Sequence, residues 1–480
     1  MKVHQLFLWG VCTALASCMM GPNYRPPENC VSDCWVSNTC SETVVPTLWW
    51  EEFNDPLLNN YIAVASYYNK DVLTAEASIL QARAIRKIVA SDLFPHLNFE
   101  ALFSRTYFSK NGPVFAIGAA QTVTTPGLPF ELQIPQIQNI FTILFDASWE
   151  IDLFGKTRRA VEAAVAHIGS AIEQRNNVLI SIYAEIALNY MDLRSTQQMG
   201  VLIEKNISLL EKKQHVTQKQ LEEGLINRLV LDKIEAELAQ QRSTLPPIVA
   251  EIYQYIYAIS VLTGCPPETL LAELLPIQAL PTFPQEVASG LKSDLLRRRP
   301  DVRQAERNLA AATANIGVAV ASFFPTLSLT GGIGLQSLHL NNLFQANSKT
   351  WELDAGLVTP LFQGGNLVGH LRLSESQAMS AALIYQQTVL TALEEAESTL
   401  IAYKKEEESA YRLKQSYEKY QEIALLSLDR FEKGLVTIND VIDSETQAIV
   451  ARENLLESET AVLIDIVALY KALGGGWECS

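Results

Sequence analysis

Leu93-Phe94-Pro95-His96-Leu97-Asn98-Phe99-Glu100-Ala101-Leu102-Phe103-Ser104 is the stretch on which the fold turns. Before it, Leu58, Ile62, Ala65, Val72, Ala75, Ile79 and Ala82 recur near every 3.6 positions, which predicts one helix from about Asp55 to Asp92. After Pro95 the period falls to two. Leu97, Phe99, Ala101 and Phe103 make one face, and Asn98, Glu100 and Ser104 fall on the other, the pattern of a strand with two unlike sides. A Gly/Pro-containing loop over residues 109–138 leads to a second strand. There Phe141, Ile143, Phe145, Ala147, Trp149 and Ile151 alternate with Thr142, Asp146, Ser148, Glu150 and Asp152.

The same passage occurs twice. Asp71-Val72 with Ala75-Glu76 matches Asp301-Val302 with Ala305-Glu306, and Phe94-Pro95-His96-Leu97 matches Phe324-Pro325-Thr326-Leu327, both at an offset of 230 (301 − 71 and 325 − 95). A second strand pair follows. Leu327, Leu329, Gly331, Ile333 and Leu335 alternate with polar and small residues, and so do Trp351, Leu353, Ala355 and Leu357. Further on, Glu223-Gly224-Leu225, Glu235 and Gly264 match Lys433-Gly434-Leu435, Glu445 and Gly474 at an offset of 210 (434 − 224 and 474 − 264). An ordered set of such matches is the mark of internal duplication.

Between the strand pairs and the glycines lie very long helices. Lys156–Leu245 contains no proline, and Gly224 is its one expected break. A helix from Lys156 to Gly224 would extend roughly 100 Å at 1.5 Å per residue. The buried seams are Leu179, Ile182, Ile186, Tyr190 and Leu193 in the first half, and Val389, Leu393, Ala396, Leu400 and Tyr403 in the second. Pro266, Pro267, Pro276, Pro281, Pro284 and Pro300 mark a linker. The expected segments are 1–17, a signal peptide; 18–60, a lipidated arm; 61–264, the first repeat; 265–296, the linker; 297–474, the second repeat; and 475–480, a tail.

The amino terminus points to export. Lys2, the apolar run Leu6–Ala16 and Leu15-Ala16-Ser17-Cys18 have the form of a secretory signal ending in a bacterial lipobox, with Cys18 as the lipidated first residue of the mature chain. Met19 rather than aspartate follows it, which in such lipoproteins points to the outer membrane. Beyond residue 18 no apolar run reaches the roughly 18–20 residues of a spanning helix, so a membrane passage would have to be a closed β-barrel. Cys30, Cys34 and Cys40 cluster without CxxC spacing or a neighbouring histidine, which favours disulfide or intermolecular pairing, with Cys265 and Cys479 as further candidates, over a metal site. A composition 48% hydrophobic and 19% charged excludes a disordered chain, and a net charge of −16 excludes an ordinary nucleic-acid binder.

Each half therefore reads as helix, two strands, very long helix, glycine turn and helix. Four strands cannot close a membrane barrel, whose smallest forms have about eight, so strands from several copies must be pooled; three copies give twelve. The strands supply a polar face for a wet lumen, with Glu100, Asp146, Glu150, Asp152, Glu352 and Asp354. The lipobox, Gly21-Pro22-Asn23-Tyr24-Arg25-Pro26-Pro27, residues 297–306 (Arg-Arg-Arg-Pro-Asp-Val-Arg-Gln-Ala-Glu), the paired Phe-Pro-x-Leu motifs, Pro360-Leu361-Phe362-Gln363-Gly364-Gly365 and residues 469–477 together resemble the TolC-type outer membrane factors, in the lipoprotein branch that serves drug-efflux pumps. The resemblance covers essentially the whole mature chain. It implies a mixed α and β, internally duplicated subunit in a homotrimer, with a twelve-stranded transmembrane β-barrel continuous with a long periplasmic α-helical barrel. It also implies a periplasmic adaptor and an inner-membrane transporter as partners, with outer-membrane lipid around the barrel, and no cofactor.

In such proteins the periplasmic end closes where paired helices turn. The turns here are Gly224 and Gly434, and the residues after them, Asn227, Arg228, Val436, Thr437, Asn439 and Asp440, are the expected constriction. Relatives often place an aspartate two residues after the second glycine; this chain has Val436, so the resemblance does not carry over an acidic ring at that level, and closure by apolar contact is an alternative. Arg297, Arg298 and Arg299 are expected on a helix surface, paired with acidic neighbours. The six histidines are scattered, no HExxH, GxSxG or Walker pattern occurs, and Gly331-Gly332-Ile333-Gly334 sits inside an alternating strand, so no enzyme is indicated. Within the duct class the alternative is type I protein secretion; outside it, a structural stalk of the envelope. Cys18→Ser is expected to abolish acylation, and palmitate labelling of that variant would refute the anchor.

Overall fold

A computed structural model of the chain describes residues 19–27, 35, 46–109, 111–112, 136–282 and 292–477. The signal segment, Cys18, the Cys30, Cys34 and Cys40 cluster, Cys479, most of the 109–138 loop and the linker around Pro284 lie outside these residues. The elements in order are α1 (Pro56–Tyr68), α2 (Lys70–Ser91), β1 (His96–Tyr107), β2 (Ile137–Ile151), α3 (Lys156–Glu222), α4 (Arg228–Leu262), the one-turn α5 (Leu271–Leu274), α6 (Lys292–Arg298), α7 (Pro300–Ala321), β3 (Thr326–Ser337), β4 (Lys349–Val358), α8 (Asn366–Glu432) and α9 (Ile438–Ala472). The duplication is carried residue for residue. α3 and α8 both have 67 residues, α4 and α9 both 35, α2 and α7 both 22, and β1 and β3 both 12. Two compact units cut across the repeats, each drawing segments from both halves.

The first unit holds Met1–Arg25, Ala82–Ala166 and Ala310–Ser380. Its four described strands form one antiparallel sheet in the order β1-β2-β3-β4. The register lines up Phe99, Phe145, Ile333 and Trp351 in one row and Leu97, Ala147, Gly331 and Leu353 in the next. On the opposite face, rows such as Asn98, Asp146, Gly332 and Glu352 are polar or small. The apolar side is bare: Trp351 and Leu353 are each 76% exposed. Neither the outer edge of β1 nor that of β4 has a partner strand among the described residues.

The arm enters this unit against a buried arginine. Arg159, 2% exposed, donates from Nε to the Met20 carbonyl (3.1 Å) and from Nη2 to the Gly21 carbonyl (3.3 Å) and Asn23 Oδ1 (2.7 Å), and pairs with Glu162 at 2.7 Å. The Met20 amide donates to the Phe154 carbonyl at 3.1 Å. The backbones come so close that a Cβ on Gly21 would lie 2.5 Å from the Gly317 Cα, and one on Gly317 would lie 2.8 Å from the Arg159 side chain. The motif Gly21-Pro22-Asn23 thus has a physical reason: it fills a slot built around one guanidinium.

The second unit holds Pro26–Gln81, His167–Leu309 and Ala381–Ser480. Side-chain bonds set its helices in a row. α4 meets α3 through Arg242–Glu211 (2.6 Å), α3 meets α9 through Lys213–Asp443 (2.5 Å) and Thr460–Ser195 (2.7 Å), and α9 meets α8 through Ser444–Ser427 (3.1 Å). The seam residues Leu179, Ile182, Ile186, Tyr190 and Leu193 are all buried, as are Val389, Ala396, Leu400 and Tyr403. Each fully buried apolar side chain of this size contributes about 1.5–3 kcal/mol.

Three sequence readings are corrected here. Residues 21–60, rich in Pro, Asn and Ser, read as an extended arm, but its end is not extended: Trp49–Phe53 is a 3₁₀ helix whose Trp49, Trp50 and Phe53 sit in the core, Trp49 stacked on Tyr470 at 5.6 Å, and α1 already begins at Pro56. The single helix Asp55–Asp92 is two, broken at the buried Asn69, whose Oδ1 accepts from the Asp71 and Val72 amides (2.8 and 3.2 Å). Beyond the proline-free stretch, helix α4 runs on through Pro246 and Pro247. One helix, α4, does have the length and composition to cross a bilayer, with a window of mean hydropathy 1.3. Its apolar end is instead where Ile256 and Ile259 enter the core.

The break at Asn69 has a counterpart 230 residues on, at Arg299 (299 − 69), between α6 and α7. Asn69 Nδ2 donates to the Leu262 carbonyl at 2.8 Å, and Arg299 Nη1 to the Ala472 carbonyl at 3.0 Å, so each closes the last turn of the 35-residue helix of its own repeat. Arg299 is buried, which corrects its expected surface position. Its expected acidic partners are present, Asp301 in a two-pronged contact (3.0 and 2.6 Å) and Glu395 (2.7 Å). Burial works against the charged guanidinium, but bonds to these two carboxylates outweigh it and leave its pKa above the usual value. The linker is pinned nearby: the fully buried Arg194 donates to Gln197 (2.9 Å) and to the Leu274 and Pro276 carbonyls (3.4 and 3.2 Å). It also bonds Tyr190, whose hydroxyl donates to Asp55 at 2.7 Å. Burial and that carboxylate push the Tyr190 phenol well above its ordinary range. Cys265 has no disulfide partner among the described residues.

Two outcomes test these contacts. Gly264 has φ +79°, and a Cβ there would lie 2.4 Å from the Tyr68 carbonyl oxygen, whereas Gly224, at φ +75°, has open space around it. Both alanine variants bear the left-handed penalty of about 1–2 kcal/mol, and Gly264→Ala adds an overpacking cost of about 1–3 kcal/mol. Its denaturation midpoint should therefore fall further than that of Gly224→Ala; equal losses would contradict the packed joint. In Arg159→Ala the arm loses charged hydrogen bonds contributing about 1.5–3 kcal/mol each, so chymotryptic cleavage after Tyr24 should accelerate about tenfold or more. Unchanged cleavage would mean the arm is held by something else.

Candidate functional site

Each 67-residue helix reverses into its 35-residue partner through a glycine. At the first tip Gly224 takes φ +75°, its amide donates to the Leu221 carbonyl (2.9 Å), and the Leu225 amide reaches back to Gln220 (2.8 Å). At the second, Gly434 takes φ +72°, with the same bonds to Phe431 (2.8 Å) and from Leu435 to Arg430 (2.9 Å). Each tip thus closes with one six-to-one and one five-to-two bond, the pair that marks a left-handed helix cap. A Cβ at either glycine would meet nothing within 4 Å, so the positive φ, not crowding, selects glycine.

The residues after the turns differ between the tips. Asn227 is the N-cap of α4 but makes no side-chain capping bond, and the exposed Arg228 pairs with Asp232 at 3.5 Å, one turn into the helix. In the second tip Thr437 caps α9 with a full capping box. Its Oγ1 accepts from the Asp440 amide (3.3 Å), and the Asp440 carboxylate accepts from the Thr437 amide (2.7 Å) and hydroxyl (2.6 Å). The Thr437 hydroxyl and amide hold the Asp440 carboxyl below the usual carboxylate range. Val436 and Asn439 are half-buried, and Asn439 Oδ1 is enclosed without a hydrogen-bond partner among the described residues.

All six residues expected at a constriction therefore lie at the ends of the helical hairpins, beside Gly224 and Gly434 in the second unit. The structure gives Thr437 and Asp440 a capping task that their Thr-x-x-Asp spacing announces and that the sequence reading passed over. It also exposes Leu225 (68%) and Leu435 (65%), equivalent residues of the two repeats, at the very turns. The repeated Gly-Leu pair carried that signal, since an apolar residue in an exposed turn asks for a covering surface. Among the described residues no group of three or more His, Cys, Asp or Glu is placed to hold a metal ion.

Known proteins share this plan end to end. Nodulation protein T of Rhizobium leguminosarum bv. viciae is 27% identical over 465 residues, 96% of this chain and 92% of that protein. The toluene efflux pump outer membrane protein TtgC of Pseudomonas putida is 28% identical over 471 residues, 96% and 93% of the two chains. The solved structure of the outer-membrane channel OprN superposes with a TM-score of 0.84 at 29% identity, covering 96% of this chain and 100% of that one. A model of the family described as outer membrane efflux protein matches residues 63–264 and 291–475, one segment in each repeat. The chain belongs to the outer membrane efflux protein family.

Proposed function

We propose that the chain assembles as a homotrimer into a passive exit duct of the outer membrane, one that exports small molecules together with a periplasmic adaptor and an inner-membrane transporter. The observation that carries this reading is the sheet. It has four strands, one bare apolar face, and two edges without partners among the described residues. Lipid accepts the apolar face but not open strand edges, and three copies placed edge to edge, β1 against a neighbour's β4, close twelve strands. The polar faces with Asp146, Glu150, Glu352 and Asp354 then line the water-filled bore.

The hairpin tips form the closing constriction, lined by Asn227, Arg228, Val436, Thr437, Asn439 and Asp440. Asp440 is committed to its own helix cap, so the closure rests on Asn227, Val436 and Asn439 with the Arg228–Asp232 pair at the rim. Leu225 and Leu435 present apolar contacts for the adaptor. Cys18, acylated, anchors the arm whose next residues are held by Arg159. The similarity to a toluene efflux pump component favours small apolar cargo over secreted protein.

Planar-bilayer recording of the purified oligomer, combined with cross-linking, tests the duct. Cysteines placed at the outer edges of β1 and β4 should give covalent trimers, and opening the tips by mutation should raise conductance. A stable monomer in detergent, or a complete lack of conductance after the tips are opened, would remove the basis for the reading. Deleting the gene should increase drug and solvent susceptibility and leave the secretome unchanged; the reverse result would favour protein secretion.

A further inference from the structure

Inside one chain the two repeats meet along a helix seam, α7 of the second on α3 of the first. Three contacts set its register. Arg303 pairs with Glu173 at 2.6 Å. Arg307 covers Gly169, where a Cβ would lie 3.0 Å from the arginine side chain, and Arg159 covers Gly317, where it would lie 2.8 Å away. The contacts run antiparallel and in step, and the α7 positions 303, 307, 310, 314 and 317 recur at the four-three spacing of a packed seam. Each short helix also packs on the long helix of its own repeat, α2 on α3 through Glu76–Arg175 (3.4 Å) and α7 on α8 through Val302 and Val389. The fourth arrangement of these elements, an α2 on an α8, would join one copy to the next.

The offsets between the repeats, 230 from α2 to α7 and 210 from α3 to α8, carry the seam onto that joint. Leu73 and Leu383 stand where Arg303 and Glu173 form their ion pair. Ala77 and Met379 stand where Arg307 covers Gly169, and Lys87 and Gly369 where Gly317 is covered by Arg159. An ion pair has become two leucines, and in the other two places large and small have changed sides. A Cβ on Gly369 would meet nothing within 4 Å, and Leu73, Met379 and Leu383 are exposed, as expected of a seam that only a second copy completes. The sheet transposes in the same way. Within the chain Ala147 lies opposite Gly331 and Phe145 opposite Ile333. The same offsets set the partner's Leu357 opposite Ala101 and the partner's Ala355 opposite Phe103, large against small in both rows.

These exchanges also decide which helix takes the seat. If α7 lay on α8 in this register, Arg303 would meet Leu383 and Arg307 would meet Met379, two cations without partners, and Gly317 would meet Gly369 across a gap. If α2 took the seat of α7 on α3, Leu73 would meet the buried Glu173, and Lys87 would meet Arg159, a like charge.

We propose that α2 of each copy seats on α8 of the next in the register that α7 uses on α3, with Leu73 against the partner's Leu383 and Lys87 over the partner's Gly369. The proposal rests on the reading of the chain as a homotrimeric ring. It gives that ring two kinds of joint, one ionic and inside the chain, one apolar and between copies, and neither can replace the other.

Native mass spectrometry of the full-length protein in detergent, with circular dichroism on the same samples, tests it. Leu73→Arg should lower the proportion of trimer about tenfold or more, because the cation would be buried against a leucine, and helix content should be unchanged. Adding Leu383→Glu recreates the ion pair of the in-chain seam and should restore the trimer. Leu390→Glu, two turns further along α8, should not restore it. A Leu73→Arg chain that stays trimeric would overturn the proposal, as would a loss that Leu383→Glu does not repair or that Leu390→Glu repairs equally well. A parent chain that is itself monomeric would remove the homotrimer and the joint together, whereas a trimeric parent with the wrong rescue pattern removes the joint alone.

Discussion

The two open strand edges are the constraint on which the rest depends. A peptide group left unpaired in hydrocarbon costs several kcal/mol, and β1 and β4 each present a row of them with no partner strand among the described residues. The same sheet turns Phe99, Phe145, Ile333 and Trp351 outward in one row. A soluble protein would cover such a face with helices, and a membrane protein covers it with lipid. Lipid cannot serve the edges, however, so the face and the edges make incompatible demands on a single copy and compatible ones on a closed ring. The polar face follows from the same register: alternation sends Asp146 and Glu352 to one side because it sends Phe145 and Trp351 to the other.

Duplication solves a second problem, holding a long hairpin at one end. A 35-residue helix ends with carbonyls that nothing inside it can satisfy. Both repeats answer with a glycine in the left-handed region, Gly264 and Gly474, and with a side chain at the break between two upstream helices. The first repeat uses the amide of Asn69. The second uses the guanidinium of Arg299, which needs Asp301 and Glu395 beside it because a buried cation without partners is far costlier than a buried amide. The geometry is shared between the halves while its electrostatics are not. Similarity of shape therefore survives without identity of residue, and that is why the Asn69 break could not be found by matching letters to Arg299.

Much of this architecture is legible in the sequence for a physical reason. Strand and helix periods are set by backbone geometry, and both show in apolar spacing: Leu97 to Phe103 for β1, and Leu179 to Leu193 for the seam of α3. The offsets between repeats were legible because Phe-Pro and Gly-Leu sit where only a few residue types fit. What was not legible was tertiary. Asn69 interrupts a regular apolar pattern with no proline or glycine to flag it, and it caps because Leu262 is there to take its amide. Pro246-Pro247 lack the amide hydrogens of a regular helix, yet the helix runs through them from Arg228 to Leu262. Trp49 and Trp50 look like the end of an arm until Tyr470 and Tyr183, from distant parts of the chain, close over them. At the tips the glycines were readable and the division of labour beyond them was not, since Thr437 and Asp440 look equally suited to facing water.

That division bears on how such an end can close. Asp440 is the first acidic residue after the second turn, and a ring of acidic groups would be an obvious electrostatic lock. Its carboxylate is already engaged by the amide and hydroxyl of Thr437, which hold its pKa low. A group with a depressed pKa adds stability above its unfolded value, and that stability is lost only as pH falls through the lower folded value. Across milder pH the box therefore stays charged and shut, and Asp440 serves the helix end and not the bore. Val436 stands where an acid would otherwise project. The first tip offers Asn227 and an Arg228 already paired with Asp232. With Asp440 engaged by its cap and Arg228 by Asp232, these two charges are spent within their own helices, so in the proposed closing end they contribute little to the balance between its states, and short-range packing contributes more.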